Sequence, residues 1–241
     1  MKAHERLLVA LDTADLDAAR RLVRLLRGNV GGFKIGLQLF SAGGREIVRE
    51  IRQGGDVVFL DLKLHDIPNT VAGAAAAAAR MGASFFTLHA CGGPTMIRRG
   101  VEASAEAAEQ VGLPRPTALA VTVLTSHDDA ELEAIGLQGP CAVAVLRLAR
   151  MAREAGAGGL VCSALEVGTA RKVFPGGTLV VPGIRPAAAS TPGDDQSRTA
   201  TPARAVAAGA DFLVIGRPIT RAEDPAGAAR AIAEEIERGE S

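Results

Sequence analysis

Three charged side chains interrupt an apolar segment in the first third of the chain. Residues 57–60 are β-branched, aromatic or aliphatic, a pattern typical of a strand buried on both faces. Because successive side chains of a strand alternate faces, the following Asp61 and Lys63 are predicted to project to the same side. Pro68 begins a predicted helix, which leaves Asp66 in the turn before it. The pattern predicts an acid, a base and an acid that converge at the end of a buried strand.

Two interpretations of this charged cluster are open from its spacing alone. The cluster could be a salt bridge that completes the end of a strand. Buried ion pairs are poor stabilising devices, because desolvation offsets most of their attraction. Three charges where apolar residues would pack better therefore favour a functional site with acid and base groups.

The elements that would position this cluster alternate regularly along the chain. The predicted strands are Leu7–Asp12, Gly32–Gly36, Asp56–Lys63, Ser84–Ala90, Thr117–Leu124, Gly158–Ser163, Thr178–Ile184 and Asp211–Gly216. The predicted helices are Asp15–Arg27, Gly43–Gln53, Val71–Met81, Thr95–Val111, Ala142–Ala155, Pro202–Ala208 and Pro225–Arg238. Eight alternating units joined by short connections in a chain of 241 residues favour an α/β fold, namely a single (β/α)8 TIM barrel. We expect residues 1–241 to form one domain. A doubly wound dinucleotide-binding sheet would need a G-x-G-x-x-G after its first strand, and Leu11–Ala14 has none.

A barrel of this kind carries its active site at the carboxyl ends of its strands. Polar residues lie in or directly after the predicted strands at that end. They are Asp12, Lys34, Asp61, Lys63, Thr125, Ser126, Arg185 and Arg217. So many polar groups facing one barrel mouth are hard to explain by solubility alone, and they predict a functional cleft.

An anion site is predicted at the last two strands. The long irregular segment Gly183–Thr201 is expected to act as a lid or binding loop, with Arg185 and Gln196 near its ends. After the eighth strand, Gly216 allows close backbone approach and Arg217 offers a bidentate guanidinium. Barrels often bind phosphate around these two loops, so we expect phosphate here.

Composition excludes several classes of function. Lys plus Arg and Asp plus Glu each number 27, and Trp and Tyr are absent, which argues against nucleic-acid and membrane-surface binding. The three cysteines lack ligand-like spacing and are predicted to be buried free thiols of a reducing, cytoplasmic compartment. No metal site is expected. His89 is interpreted as a hydrogen-bonded core residue, and His65 as a structural residue pointing away from Lys63.

Nearly the whole chain resembles the orotidine 5′-phosphate decarboxylase family. The matching segments are Val9–Asp12, Phe33–Gly36, Asp61–Thr70, Val121–Ser126, Pro182–Pro186, Gly193–Gln196 and Val214–Pro218. The Asp-x-Lys-x-x-Asp core alone is shared with other phosphate-binding barrels. The extended block with Ile-Pro-Asn-Thr, joined to the loop and the Gly-Arg-Pro segment, is specific to the family.

This resemblance implies the decarboxylation of orotidine 5′-phosphate to uridine 5′-phosphate by a homodimer that needs no cofactor or metal. By position, Lys63 protonates C6 of the pyrimidine within a network of Lys34, Asp61 and Asp66, and Asp66 and Thr70 reach the partner's site. The remaining implied contacts are Asp12 and Lys34 to the ribose, Thr125 and Ser126 to the pyrimidine, and Arg185, Gln196, Gly216 and Arg217 to the phosphate.

Two other functions are weighed against this one. A related barrel, such as a sugar-phosphate decarboxylase or hexulose-phosphate synthase, uses a similar acid–lysine–acid core with magnesium. A non-catalytic phosphate-binding barrel would bind nucleotide without turnover, but an intact Lys63 and Asp66 argue against erosion of the site.

Overall fold

A computed structural model describes residues 1–186 and 200–240, with side chains up to residue 239. The strands are β1 Leu7–Ala10, β2 Gly32–Gly36, β3 Val57–Leu64, β4 Phe85–His89, β5 Thr117–Val121, β6 Gly159–Val161, β7 Thr178–Val181 and β8 Phe212–Ile215. The helices are α1 Leu16–Leu26, α2 Leu37–Gln53, α3 Pro68–Arg80, α4 Gly93–Gln110, α5 Asp129–Ala134, α6 Cys141–Glu154, α7 Val167–Val173, α8 Pro202–Ala207, α9 Arg217–Thr220 and α10 Pro225–Glu240.

The strands form one closed parallel barrel in the order β1 to β8, with β8 returning to pair with β1. Helices follow the strands around the outside, so the predicted (β/α)8 TIM barrel is confirmed. The interior is filled by alternate residues of the strands, as expected from the period of two. This inner cluster includes Leu8, Phe59, Phe85, Leu119, Val180 and Val214. The opposite faces of the strands pack against the helices in a larger apolar layer.

The structure differs from the predicted elements mainly at their ends. The strand predicted to reach Leu124 ends at Val121, and the one predicted to reach Ile184 ends at Val181. An apolar segment indicates burial and not strand pairing as such. Most residues just beyond Val121 and Val181 are still buried at the barrel mouth, although they are no longer part of the paired strands. Helix α2 begins at Leu37, earlier than predicted, and continues past a kink at Gly44, where φ is 54°. The short helices α5, α7 and α9 had no helical pattern long enough to predict.

The three cysteines are free, as predicted, but Cys91 is exposed whereas Cys141 and Cys162 are buried. Cys91 lies in a short 3-10 turn directly after β4, where the chain leaves the barrel. None of the described helices is long and apolar enough to span a lipid bilayer.

One half-buried arginine joins α7 to the amino-terminal ends of two strands. The Arg171 guanidinium donates to the carbonyl oxygens of Gly177 and Gly209, each at 2.7 Å. It also lies 2.6 Å from Asp211 Oδ2, which in turn accepts the Leu179 N–H at 2.8 Å. These bonds lie at the end of the barrel away from the charged cluster, so they support the fold without touching the cleft.

We therefore expect Arg171→Ala to reduce stability and leave activity unchanged. The loss should be about 2–4 kcal/mol in the free energy of unfolding, because Asp211 and two carbonyl groups lose a charged donor. Urea denaturation of the two proteins measures this difference. Arg20→Ala is the matched control, since its bidentate pair with Glu50 is exposed and its removal should change stability far less. Equal losses in both variants would contradict this assignment.

Candidate active site

A cavity of about 430 Å³ opens at the carboxyl ends of the strands. Its lining includes many of the polar residues predicted from sequence, contributed by loops after several different strands. They are Asp12, Lys34, Asp61, Lys63, Thr125, Arg185, Gly216 and Arg217. Its floor and one wall are apolar, formed by Phe59, Val121, Val161 and Val214 among others. The cavity thus offers one face to a flat apolar group and charged faces to anions.

Four charged groups of alternating sign form a chain along one side of this cavity. Lys34 Nζ lies 3.0 Å from Asp12 Oδ1 and 3.7 Å from Asp61 Oδ2. Lys63 Nζ lies 2.9 Å from both oxygens of Asp61. Asp61 and Lys34 are buried, whereas Lys63 is half-buried and faces the cavity. The predicted projection of Asp61 and Lys63 to one side is thereby observed.

Strand register explains why these groups meet. Ala10 of β1 pairs with Lys34 of β2, so Asp12 lies one pleat above Lys34 on the neighbouring strand. Gly36 of β2 pairs with Asp61 of β3, again one pleat above Lys34. The long Lys34 side chain therefore extends upward between two carboxylates that flank it.

The charge state of Asp61 is set by competing effects. Burial by itself would raise the pKa of Asp61, because a carboxylate loses its hydration. The positive charges of Lys63 and Lys34, with hydrogen bonds from Lys63 and Thr87, outweigh burial and hold the pKa below its usual value. Asp61 is therefore an anion at neutral pH and keeps a compensating charge beside Lys63.

Gly36 fits closely against the Lys34–Asp12 pair. A Cβ atom at Gly36 would lie 3.0 Å from Lys34 Nζ and 3.4 Å from Asp12 Oδ1. Any side chain at this position would press on the ion pair. The sequence identified Gly36 as part of a family segment, but nothing in the sequence indicated this steric role.

The part of the cavity formed after β7 and β8 is rich in guanidinium groups. Arg185 follows β7, and Arg217 and Arg221 lie at the beginning and just beyond the end of the short helix α9. Gly216, the residue before α9, also lines this side. Sequence reasoning did not select Arg221, because it lies beyond the strand end and one turn along a helix too short to predict.

The long loop after β7 is anchored at its base by backbone pairing. Ile184 forms a parallel bridge with Ala200, and the Arg185 N–H donates to the Ala200 carbonyl at 3.0 Å. Arg185 is thus held at the rim of the cavity. Gln196, predicted from sequence to act with it, lies outside the described residues.

Three predicted site residues do not line this cavity in the single chain. Asp66 and Thr70 are exposed, and the Asp66 carboxylate accepts the N–H of Ile67 at 2.6 Å. Ser126 is also exposed, although its neighbour Thr125 lines the cavity. The convergence of three charges predicted from spacing is therefore found for Asp61 and Lys63 but not for Asp66, because the turn carries Asp66 outward.

The prediction for His89 was wrong. In the described part of the chain the His89 ring has no hydrogen-bond partner, and it instead packs against the His65 ring with centroids 5.5 Å apart. Burial, with added repulsion from His65 and Lys63, lowers the pKa of His89 to about 4. His89 is therefore neutral at neutral pH, and neither histidine lines the cavity.

The donor atoms for a metal ion are not grouped in this region. Within residues 1–186 and 200–239, no set of three or more His, Cys, Asp and Glu side chains is placed to hold an ion. The lining of the cavity instead combines two carboxylates with several cations. This arrangement is suited to an anionic ligand.

Comparisons with known proteins agree along nearly the whole chain. The model of the orotidine 5′-phosphate decarboxylase / HUMPS family matches residues 5–232. A protein from Anaeromyxobacter dehalogenans named orotidine 5′-phosphate decarboxylase is 53% identical over 234 residues, which cover 97% of this chain and 99% of the relative. A protein of the same name from Thermobifida fusca is 49% identical over 232 residues and 95% of each chain.

Solved structures give the same result. A crystal structure of orotidine 5′-phosphate decarboxylase from Lactobacillus acidophilus superposes with a TM-score of 0.83 at 38% identity, covering 95% of this chain and 98% of the other. An uncharacterised conserved protein from Geobacillus kaustophilus superposes with a TM-score of 0.82 at 35% identity, covering 95% and 99%. The chain belongs to the orotidine 5′-phosphate decarboxylase / HUMPS family.

Proposed function

We propose that this protein decarboxylates orotidine 5′-phosphate to uridine 5′-phosphate in pyrimidine biosynthesis, without a metal or organic cofactor. The observation that carries the proposal is the alternating chain Asp12–Lys34–Asp61–Lys63, which faces the same cavity as a cluster of arginines. The names of relatives at about half identity over almost their full length support the substrate.

The proposed reaction requires electrostatic stabilisation of a carbanion. When the C6–carboxylate bond breaks, carbon dioxide leaves and the bonding electron pair stays at C6, in the plane of the ring, where the ring π system delocalises it poorly. The Lys63 ammonium stabilises that negative charge and transfers a proton from Nζ to C6. The product is uridine 5′-phosphate, and the neutral Lys63 amine regains a proton from solvent.

Asp61 has two effects on this step. It orients the Lys63 ammonium, because both carboxylate oxygens lie 2.9 Å from Nζ. It also presents a fixed negative charge to the substrate carboxylate, which favours loss of that carboxylate as neutral carbon dioxide. Both effects are present before substrate binds, since Asp61 is buried and held by hydrogen bonds.

The substrate contacts proposed here are those that the family resemblance implies, and the cavity lining supports most of them. Asp12 and Lys34 hold the ribose hydroxyls, and Thr125 and Ser126 contact the pyrimidine. Ser126 is exposed, so it needs a local rearrangement to reach the base. Arg185, Gln196, Gly216 and Arg217 bind the phosphate, and Arg221 adds a further positive charge on the same side.

We also propose a homodimer in which Asp66 and Thr70 complete the partner's active site. Both are exposed and turned away from their own cavity. Beside them, large apolar side chains are open to solvent at the carboxyl ends of β2 and β3: Leu37 is 60% exposed and Ile67 67%. A second copy would cover these side chains, since large apolar side chains exposed near one another often mark an interface.

The whole chain, residues 1–241, is proposed to act as one catalytic domain in the cytoplasm. The closed barrel with all its strands supports the first part. Three free cysteines in a biosynthetic enzyme fit a reducing compartment, which supports the second.

An ultraviolet assay of purified protein with orotidine 5′-phosphate tests the function directly. We expect loss of substrate and formation of uridine 5′-phosphate at the same rate with and without EDTA, because the charged side chains supply the stabilisation. A magnesium-dependent sugar-phosphate lyase would not convert orotidine 5′-phosphate, and EDTA would abolish its activity on its own sugar-phosphate substrate. Nucleotide binding without turnover would indicate a non-catalytic barrel.

Arg217→Ala should lower kcat/KM for orotidine 5′-phosphate by roughly a hundredfold or more, because binding energy from the phosphate helps to align the reacting groups. Arg217 follows β8 whereas Lys63 lies on β3, so this loss would not arise from contact with the reacting carbon. The much smaller kcat/KM for orotidine, which lacks the phosphate, should hardly change. Steady-state kinetics on both substrates measure this contrast. Arg49→Ala, an exposed arginine of α2, is the control. Equal losses on both substrates would refute a phosphate contact.

Mixing two inactive variants tests whether the active site is shared between subunits. Lys63→Ala and Asp66→Asn homodimers should each be nearly inactive. In a hybrid dimer, one site combines an intact Lys63 with the partner's intact Asp66, so random mixing should restore about a quarter of wild-type activity. If Asp66 serves its own chain, no hybrid site is intact and mixing will restore nothing.

A further inference from the structure

The backbone of β3 is irregular where it carries the reactive pair. Leu60 pairs with Phe86 of β4, and the next pairing joins Leu64 to Leu88. Between these pairings the chain advances four residues along β3 but only two along β4. The extra backbone contains both Asp61 and Lys63, so regular ladder pairing to β4 is interrupted at the residues that need precise placement.

This irregularity places one residue in a disfavoured backbone conformation. Lys63 has a φ of 49°, and among the described residues it is the one non-glycine residue with positive φ. Such a conformation is disfavoured for a side chain with a Cβ, and it persists only where surrounding contacts hold it. The Lys63 N–H is also left without a ladder partner on β4.

Thr87 is the single β4 residue opposite this bulge, and its hydroxyl acts there both as a hydrogen-bond acceptor and as a donor. Thr87 Oγ1 accepts the Lys63 N–H at 2.8 Å and donates to Asp61 Oδ1 at 3.0 Å. The residue is 0% exposed. Phe85, two residues earlier, faces the barrel interior, so Thr87 faces the same way one layer higher.

We propose that Thr87 is a positioning residue for the reaction. Its hydroxyl replaces the missing ladder bond, holds Lys63 in its unusual backbone conformation, and fixes the Asp61 oxygen that orients the Lys63 ammonium. It does so without touching substrate, as it does not line the cavity. The inference rests on the proposed function, because it assigns Thr87 to the placement of the proton donor.

A purely structural role would produce a different result. If Thr87 only satisfied buried polar groups, its removal would lower stability and leave the turnover of folded protein unchanged. If it positions the reacting pair, its removal lowers kcat while substrate affinity is retained, since the phosphate and ribose contacts are elsewhere.

The test compares Thr87→Val, which keeps the shape and removes the hydroxyl, with Thr87→Ser, which keeps the hydroxyl. For Thr87→Val we expect kcat to fall roughly ten- to a hundredfold, with the Kd for uridine 5′-phosphate changed less than about threefold. Thr87→Ser should keep kcat within about fivefold of wild type, since both hydrogen bonds can form. Thr87→Ala serves in place of Thr87→Val should the latter not fold.

Ser104→Ala is the matched control, because Ser104 is a buried hydroxyl that donates to the Val101 carbonyl at 2.9 Å within α4. Its kcat should equal that of wild type. Wild-type kcat in Thr87→Val, or a Thr87→Ser variant as slow as Thr87→Val, would overturn this inference and leave the proposed function standing. A wild-type protein without turnover would overturn both.

Discussion

The structure depends on one buried carboxylate held between two ammonium groups. Asp61 loses most of its hydration, and that loss is tolerable only because Lys63 and Lys34 lie on either side of it. The same attraction acts on Lys63, whose ammonium lies at the cavity beside both oxygens of Asp61. Each charge is therefore needed by its neighbours, so the chain from Asp12 to Lys63 behaves as one unit. The barrel strands are a rigid scaffold that holds these four side chains at fixed positions.

In the proposed reaction, different strands supply the groups that bind and the groups that react. Strands β1 to β3 carry the alternating charges, and the arginines follow β7 and β8 in the same cavity. Under this proposal, attraction of the arginines for the phosphate would help to hold the substrate carboxylate close to Asp61, where it would not lie spontaneously.

The sequence predicted the architecture well, because eight apolar segments and their period are local signals. It also predicted many of the side chains that line the barrel mouth, including Asp61 and Lys63, because polar residues at the carboxyl ends of buried parallel strands face one rim. It failed where position depends on non-local geometry. The bulge in β3, the role of Thr87 and the close fit of Gly36 all arise from register between neighbouring strands, which no single segment encodes. Asp66 is a second example of this failure. Its spacing from Asp61 and Lys63 predicted that the three charges converge, but the turn after β3 carries the Asp66 carboxylate away from the chain's own cavity.

The central claim is that the Lys63 ammonium, oriented by Asp61, stabilises and protonates the carbanion formed at C6. The most direct measurement is the turnover of orotidine 5′-phosphate by Lys63→Ala, made beside calorimetric binding of uridine 5′-phosphate and a circular dichroism spectrum. The account predicts that turnover falls by at least roughly a thousandfold, while the fold and nucleotide binding persist. Appreciable turnover by a folded Lys63→Ala protein would contradict it.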